Sequence, residues 1–88
     1  MKIHVRHILV QHKHEAEDAL KRLQKGESFE ALAKKISTCP SAAVGGDLGP
    51  VDSRRLDGDF AEVAEGLKAG EISPVVRTRF GYHLIQKV

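Results

Sequence analysis

The side chains here best suited to proton, thiol or metal chemistry are the single cysteine, Cys39, and two histidines far from it in the chain, His7 and His83. Cys39 lies in the run Ser37-Thr38-Cys39-Pro40-Ser41-Ala42-Ala43-Val44-Gly45-Gly46-Asp47-Leu48-Gly49-Pro50, which holds two of the three prolines and three of the eight glycines. Proline fixes φ, glycine admits positive φ or a close approach, and Asp47 can tie a turn to its own backbone, so this run is a shaped loop. Alone it reads equally well as a tight surface turn. A thiol near an imidazole can act as a nucleophile, and thiol and imidazole together can hold zinc. A histidine on an apolar face can also be a structural residue that only needs a hydrogen-bond partner, because leaving it without one costs about 1–3 kcal/mol.

The elements that must position these groups follow from periodicity. Ile3 to Val10 alternate as a half-buried strand, with Ile3, Val5, His7 and Leu9 on one face and Lys2, His4, Arg6 and Ile8 on the other. After the polar connection Gln11-His12-Lys13-His14, Glu15 opens an amphipathic helix with Ala16, Ala19, Leu20 and Leu23 at helical spacing, stopped by Gly26. Ser28 caps a second helix, with Glu30 in its first turn and Phe29, Leu32, Ala33 and Ile36 as its stripe. Leu48 to Asp52 suits a short strand. Asp57 or Asp59 then caps a third helix, with Phe60, Val63, Ala64 and Leu67 in register; at such spacing Phe60 reads as core. Ser73 to Thr78, the turn Arg79-Phe80-Gly81, and Tyr82 to Val88 form a C-terminal hairpin, with His83 and Ile85 on one face of its last strand. The class is α+β with a small sheet, antiparallel at its hairpin.

Bulk properties exclude several functions. Eighty-eight residues make one domain, which buries only about 60–65% of its unfolded surface. The net charge is +2, with 14 basic and 12 acidic residues interleaved. No basic stripe suits a phosphate backbone, so nucleic acid is a poor partner. One cysteine makes no internal disulfide, and no apolar run approaches the ~20 residues that span a bilayer. The chain as given reads as soluble, monomeric and cytoplasmic, although a domain cut from an exported foldase would look the same. His12 and His14, two residues apart, could chelate a metal only with a third ligand from elsewhere.

Four pieces, in order and at this spacing, resemble the parvulin family of peptidyl-prolyl cis-trans isomerases: His7-Ile8-Leu9-Val10, Ser37-Thr38-Cys39-Pro40-Ser41, Gly45-Gly46-Asp47-Leu48-Gly49, and Phe80-Gly81-Tyr82-His83-Leu84-Ile85. Each is weak alone; together they cover essentially the whole chain. The resemblance implies an FKBP-like superfold: a four-stranded antiparallel sheet surrounded by four helices, in the order β-α-α-α-β-α-β-β over residues 1–88. Its third helix would be a short turn near Pro40 to Ala43. It also implies His7 and His83 side by side on an active-site floor, Cys39 across from them, and Thr78 in the same hydrogen-bond network. Leu48, Leu56, Phe60 and Phe80 would line a proline pocket, with Phe80 narrowing its floor. Leu56 stands where many members carry Met, a volume-conserving exchange.

What the resemblance implies for function is rotation about X-Pro bonds of unfolded or flexible polypeptides, without cofactor or metal, in assistance of folding. The phosphate-recognising branch carries a long basic loop after the first strand; here that loop is only Gln11 to His14, without arginine, so phosphoserine recognition is not expected. Arg77 and Arg79 are the remaining cations nearby and would favour an acidic residue before proline. A thiol nucleophile at Cys39, a peptide-holding module without turnover, a zinc site built from the histidines and Cys39, and a cysteine hydrolase are the competing readings. The hydrolase is weakest, since no positioned base, orienting acid and oxyanion hole are legible.

Overall fold

The computed structural model describes residues 1–88. The chain runs β1 (Lys2–Val10), α1 (Lys13–Gln24), α2 (Phe29–Ile36), a 3₁₀ turn (Pro40–Val44), β2 (Asp47–Asp52), a second 3₁₀ turn (Ser53–Arg55), α3 (Gly58–Gly66), β3 (Val76–Thr78) and β4 (Gly81–Lys87). The four strands form one sheet in the order β2-β1-β4-β3, and every neighbouring pair is antiparallel. This is the expected α+β architecture, and the expected short turn after the second helix is the one that begins at Pro40.

Local chemistry starts and stops the helices. The His12 N–H donates to Glu15 Oε1 at 3.1 Å, so α1 begins two residues before the expected Glu15. Ser28 Oγ accepts from the Ala31 N–H, and Asp57, rather than Asp59, caps α3 through the Asp59 N–H. Pro40 stands in the first position of its turn, where a missing N–H removes no bond.

Two hydrophobic clusters sandwich the sheet. On one face Ile8, Val10 and Leu84 meet Ala16, Ala19, Leu23, Phe29, Leu32 and Ala33 of α1 and α2. On the other, Ile3, Val5, Val76 and Ile85 meet Phe60 and Ala64 of α3. The half-buried reading of β1 is therefore corrected: Ile8, placed on the polar face by alternation, is fully buried. The physical reason is that α1 and α2 cover only the C-terminal half of that face, while Lys2, His4 and Arg6 lie beyond their reach. β1 and β4 are central strands and carry the apolar runs of strands buried on both faces.

The strand expected from Ser73 begins only at Val76. Pro74 has no N–H to give to a ladder. The segment before it is held instead by the Ser73 N–H donating to Ile85 O at 2.8 Å and the Ile85 N–H donating to Ser73 Oγ at 3.0 Å. No helix is long and apolar enough to cross a membrane.

Candidate active site

Register places the two histidines together. Leu9 faces His83 and His7 faces Ile85 across β1 and β4, so all four side chains share the face beneath α3, with His7 and His83 on the diagonal. Their rings stack at 5.3 Å between centroids, and Nδ1 of one lies 3.1 Å from Nδ1 of the other. Phe60 from α3 sets its ring edge-on to both, at 5.5 Å from His7 and 5.1 Å from His83. Thr78 enters from β3, with Oγ1 2.7 Å from His83 Nε2 while accepting from the Phe80 N–H at 3.1 Å.

This chain of bonds has one open end. His7 Nε2 is buried and has no hydrogen-bond partner. A single Nδ1···Nδ1 bond needs one donor and one acceptor, so the pair fits two neutral rings of opposite tautomer or a singly protonated pair. Burial keeps it neutral: desolvation, then the charge of His83, lowers the His7 pKa from 6.5 to about 4. Desolvation lowers that of His83 as well, against an opposing pull from the Asp57 carboxylate.

The glycine-rich run closes the site from two sides. Ser37 Oγ accepts from the Leu9 N–H at 3.0 Å, and the Thr38 N–H donates to Leu9 O at 2.8 Å, pinning the segment before Cys39 to the end of β1. Further along, Gly46 O accepts from the His7 N–H at 2.9 Å. Gly46 has φ +83°, and a Cβ there would overlap the His7 carbonyl oxygen, so only glycine lets the loop lie this close to the strand.

Between these parts opens a cavity of about 380 Å³ lined by His7, Leu9, Thr38, Cys39, Pro40, Leu48, Leu56, Asp57, Phe60, Phe80 and His83. Every expected site residue except Thr78 lies on its wall, and Thr78 stands behind His83. Three expectations change. Cys39 lines the cavity, yet its thiol hydrogen-bonds to neither histidine, because its strand end holds it across the opening rather than on the floor. Phe80 is 52% exposed and forms a rim, since it sits in the β3–β4 turn above the sheet. Arg77 alternates with the inward Val76 and Thr78, lies over the Tyr82 ring at 6.0 Å and so faces away.

Leu9, Thr38, Pro40 and Asp57 are the wall residues that sequence reasoning missed. Thr38 and Pro40 flank Cys39, and Leu9 shares the His7 face, so position alone could have suggested them. Asp57 was legible only as a helix cap.

A profile for the rotamase, a PPIC-type PPIase domain, matches residues 7–88. The foldase protein PrsA of Bacillus subtilis is 49% identical over 87 residues, a match that covers 98% of this chain and 30% of that protein. Among solved structures, the peptidylprolyl isomerase PrsA from Bacillus anthracis superposes with a TM-score of 0.97 at 41% identity, over 99% of this chain and 41% of that one. The parvulin NmPin of Nitrosopumilus maritimus does so with a TM-score of 0.86 at 37% identity, over 98% of this chain and 94% of that one. The chain thus spans less than a third of the curated PrsA relatives it matches.

Proposed function

This chain belongs to the PPIC-type peptidyl-prolyl cis-trans isomerase family, the parvulins, and we propose that its cavity turns X-Pro bonds without a covalent intermediate. Rotation breaks amide resonance, a barrier of about 18–20 kcal/mol that leaves the uncatalysed bond isomerising over tens to hundreds of seconds. Some hundreds of turnovers per second require lowering it by roughly 5–6 kcal/mol. Gripping the ring, excluding water and complementing the twisted amide can supply that much.

In the proposed roles, Leu48, Leu56 and Phe60 hold the proline ring, and Phe80 closes the rim. The twisted amide has lost its resonance charge, so an apolar enclosure favours it over both planar forms. His7 and His83 form a neutral floor, which Thr78 orients through His83 Nε2. Cys39 faces the bound segment with a thiol that makes no hydrogen bond to either imidazole, so no base is in place to activate it as a nucleophile. The observation that carries this reading is the apolar cavity built directly over the buried, mutually bonded histidine pair.

Polypeptides containing proline are its substrates. Similarity to foldases over a fraction of their length supports placing residues 1–88, as one monomeric unit, within a longer folding factor, the alternative to a free cytoplasmic protein. The test is cis-trans exchange of an Ala-Leu-Pro-Phe peptide followed by NMR, with and without the protein. Leu48→Ala and Phe60→Leu should each lower the acceleration at least tenfold in variants that keep their fold by circular dichroism. Binding without acceleration would instead make the domain a peptide-holding module.

A further inference from the structure

Among the side chains on the cavity wall Asp57 alone is ionised at neutral pH, and its partner lies at the rim. The Asp57 side chain is 17% exposed, with Oδ1 accepting from the Asp59 N–H at 3.0 Å and Oδ2 lying 3.8 Å from Arg79 Nε. That separation is beyond hydrogen-bond range. Arg79 is 77% exposed, and its guanidinium lies 4.9 Å from the centre of the Phe80 ring. The cation is thus held by a ring on one side and a carboxylate on the other, while its Nη atoms donate to nothing within the protein. A planar fork of this kind matches a carboxylate.

We propose that Arg79 is a specificity-determining residue, receiving the carboxylate of an acidic side chain adjacent to the client's proline. The proposal rests on the proline pocket described above, whose rim Phe80 forms. Arg79 can take such a carboxylate without releasing any hydrogen bond. A client cation reaching for Asp57 would have to displace Arg79 and give up its own water inside a narrow opening. Arg77 contributes nothing, because it faces the other side of the sheet.

The experiment compares catalysed exchange of peptides with Glu, Gln or Lys immediately before proline, and of a second set with the same residues immediately after it. At low ionic strength Glu should exceed Gln about two- to fivefold in one of the two sets, the scale of an exposed ion pair. The advantage should vanish in 0.5 M salt. Arg79→Gln should abolish it while leaving the rate for Ala-Leu-Pro-Phe unchanged, and Arg79→Lys, which keeps the charge without the fork, should retain part of it. No Glu advantage in either set, an advantage for Lys, or a Glu advantage that survives Arg79→Gln would overturn the proposal. Loss of acceleration for every peptide, Ala-Leu-Pro-Phe included, would instead sink the catalytic reading beneath it.

Discussion

Cys39 and the histidine pair show how much of a residue's chemistry is decided by what its polar atoms touch. A thiol among imidazoles invites a nucleophilic mechanism, yet His7 and His83 spend their facing nitrogens on each other, and the remaining nitrogen of His83 lies against Thr78. Cys39 is left as a weak donor on the opposite wall. Cys39→Ser keeps a donor there and is expected to retain activity within about tenfold, whereas a covalent mechanism requires near-complete loss in both Cys39→Ser and Cys39→Asp. Peptide exchange rates at saturating and subsaturating substrate separate the two. Phe60 serves two purposes, filling the cluster beneath α3 and presenting its ring to both imidazoles. For that reason Phe60→Ala would confuse unfolding, at about 3–5 kcal/mol for a buried aromatic, with loss of the pocket.

Among the elements, the run from Ser37 to Pro50 is organised by where it fastens to β1. It is pinned at Leu9 before the cysteine and at His7 after it, and its 3₁₀ turn spans the gap. Two glycines in it make a controlled comparison. Gly46 and Gly49 both have positive φ, at +83° and +68°, but a Cβ on Gly49 would meet nothing within 4 Å, whereas one on Gly46 would strike the His7 carbonyl. Gly49→Ala should therefore cost only the left-handed penalty of about 1–2 kcal/mol and leave activity intact. Gly46→Ala should cost more and depress the isomerisation rate as well, because the strand carrying His7 must move. Thermal melts beside exchange rates check both, and equal effects in the two variants would contradict this account.

At the scale of the whole molecule, the buried histidine pair couples folding to pH. The unfolded chain protonates His7 near 6.5, the folded one only near 4. Between those values the unfolded state binds more protons, so stability is full above about pH 6.5, falls as pH drops towards 4, and levels off below. The loss from His7 is about 3 kcal/mol, and the lowered pKa of His83 adds to it in the same direction. For a domain of this size that is a large share of a total near 5–10 kcal/mol. Urea unfolding from pH 7 to 4 should show the decline, and His7→Asn should flatten it. An unchanged slope in that variant would place the dependence elsewhere.

Read without coordinates, the chain disclosed most of its elements, because each helix must bury one stripe and each cap needs a Ser or Asp at a particular position: Ser28, Asp57 and the stripe through Phe29, Leu32 and Ala33 were legible in this way. The four spaced pieces from His7 to Ile85 carried the family and the probable wall of the pocket's residues by type, since those residue types recur at that spacing. Sequence could not say that Ile8 is as buried as Val5, because alternation assumes one covered face, and whether a second layer packs on the other depends on where α1 and α2 land. Nor could it separate floor from rim for Phe80, or show Cys39 free of the histidines, or set Asp57 beside Arg79. Those are distances between segments tens of residues apart, and they arise only when strand register and the two fastenings of the loop bring such segments to one end of the sheet.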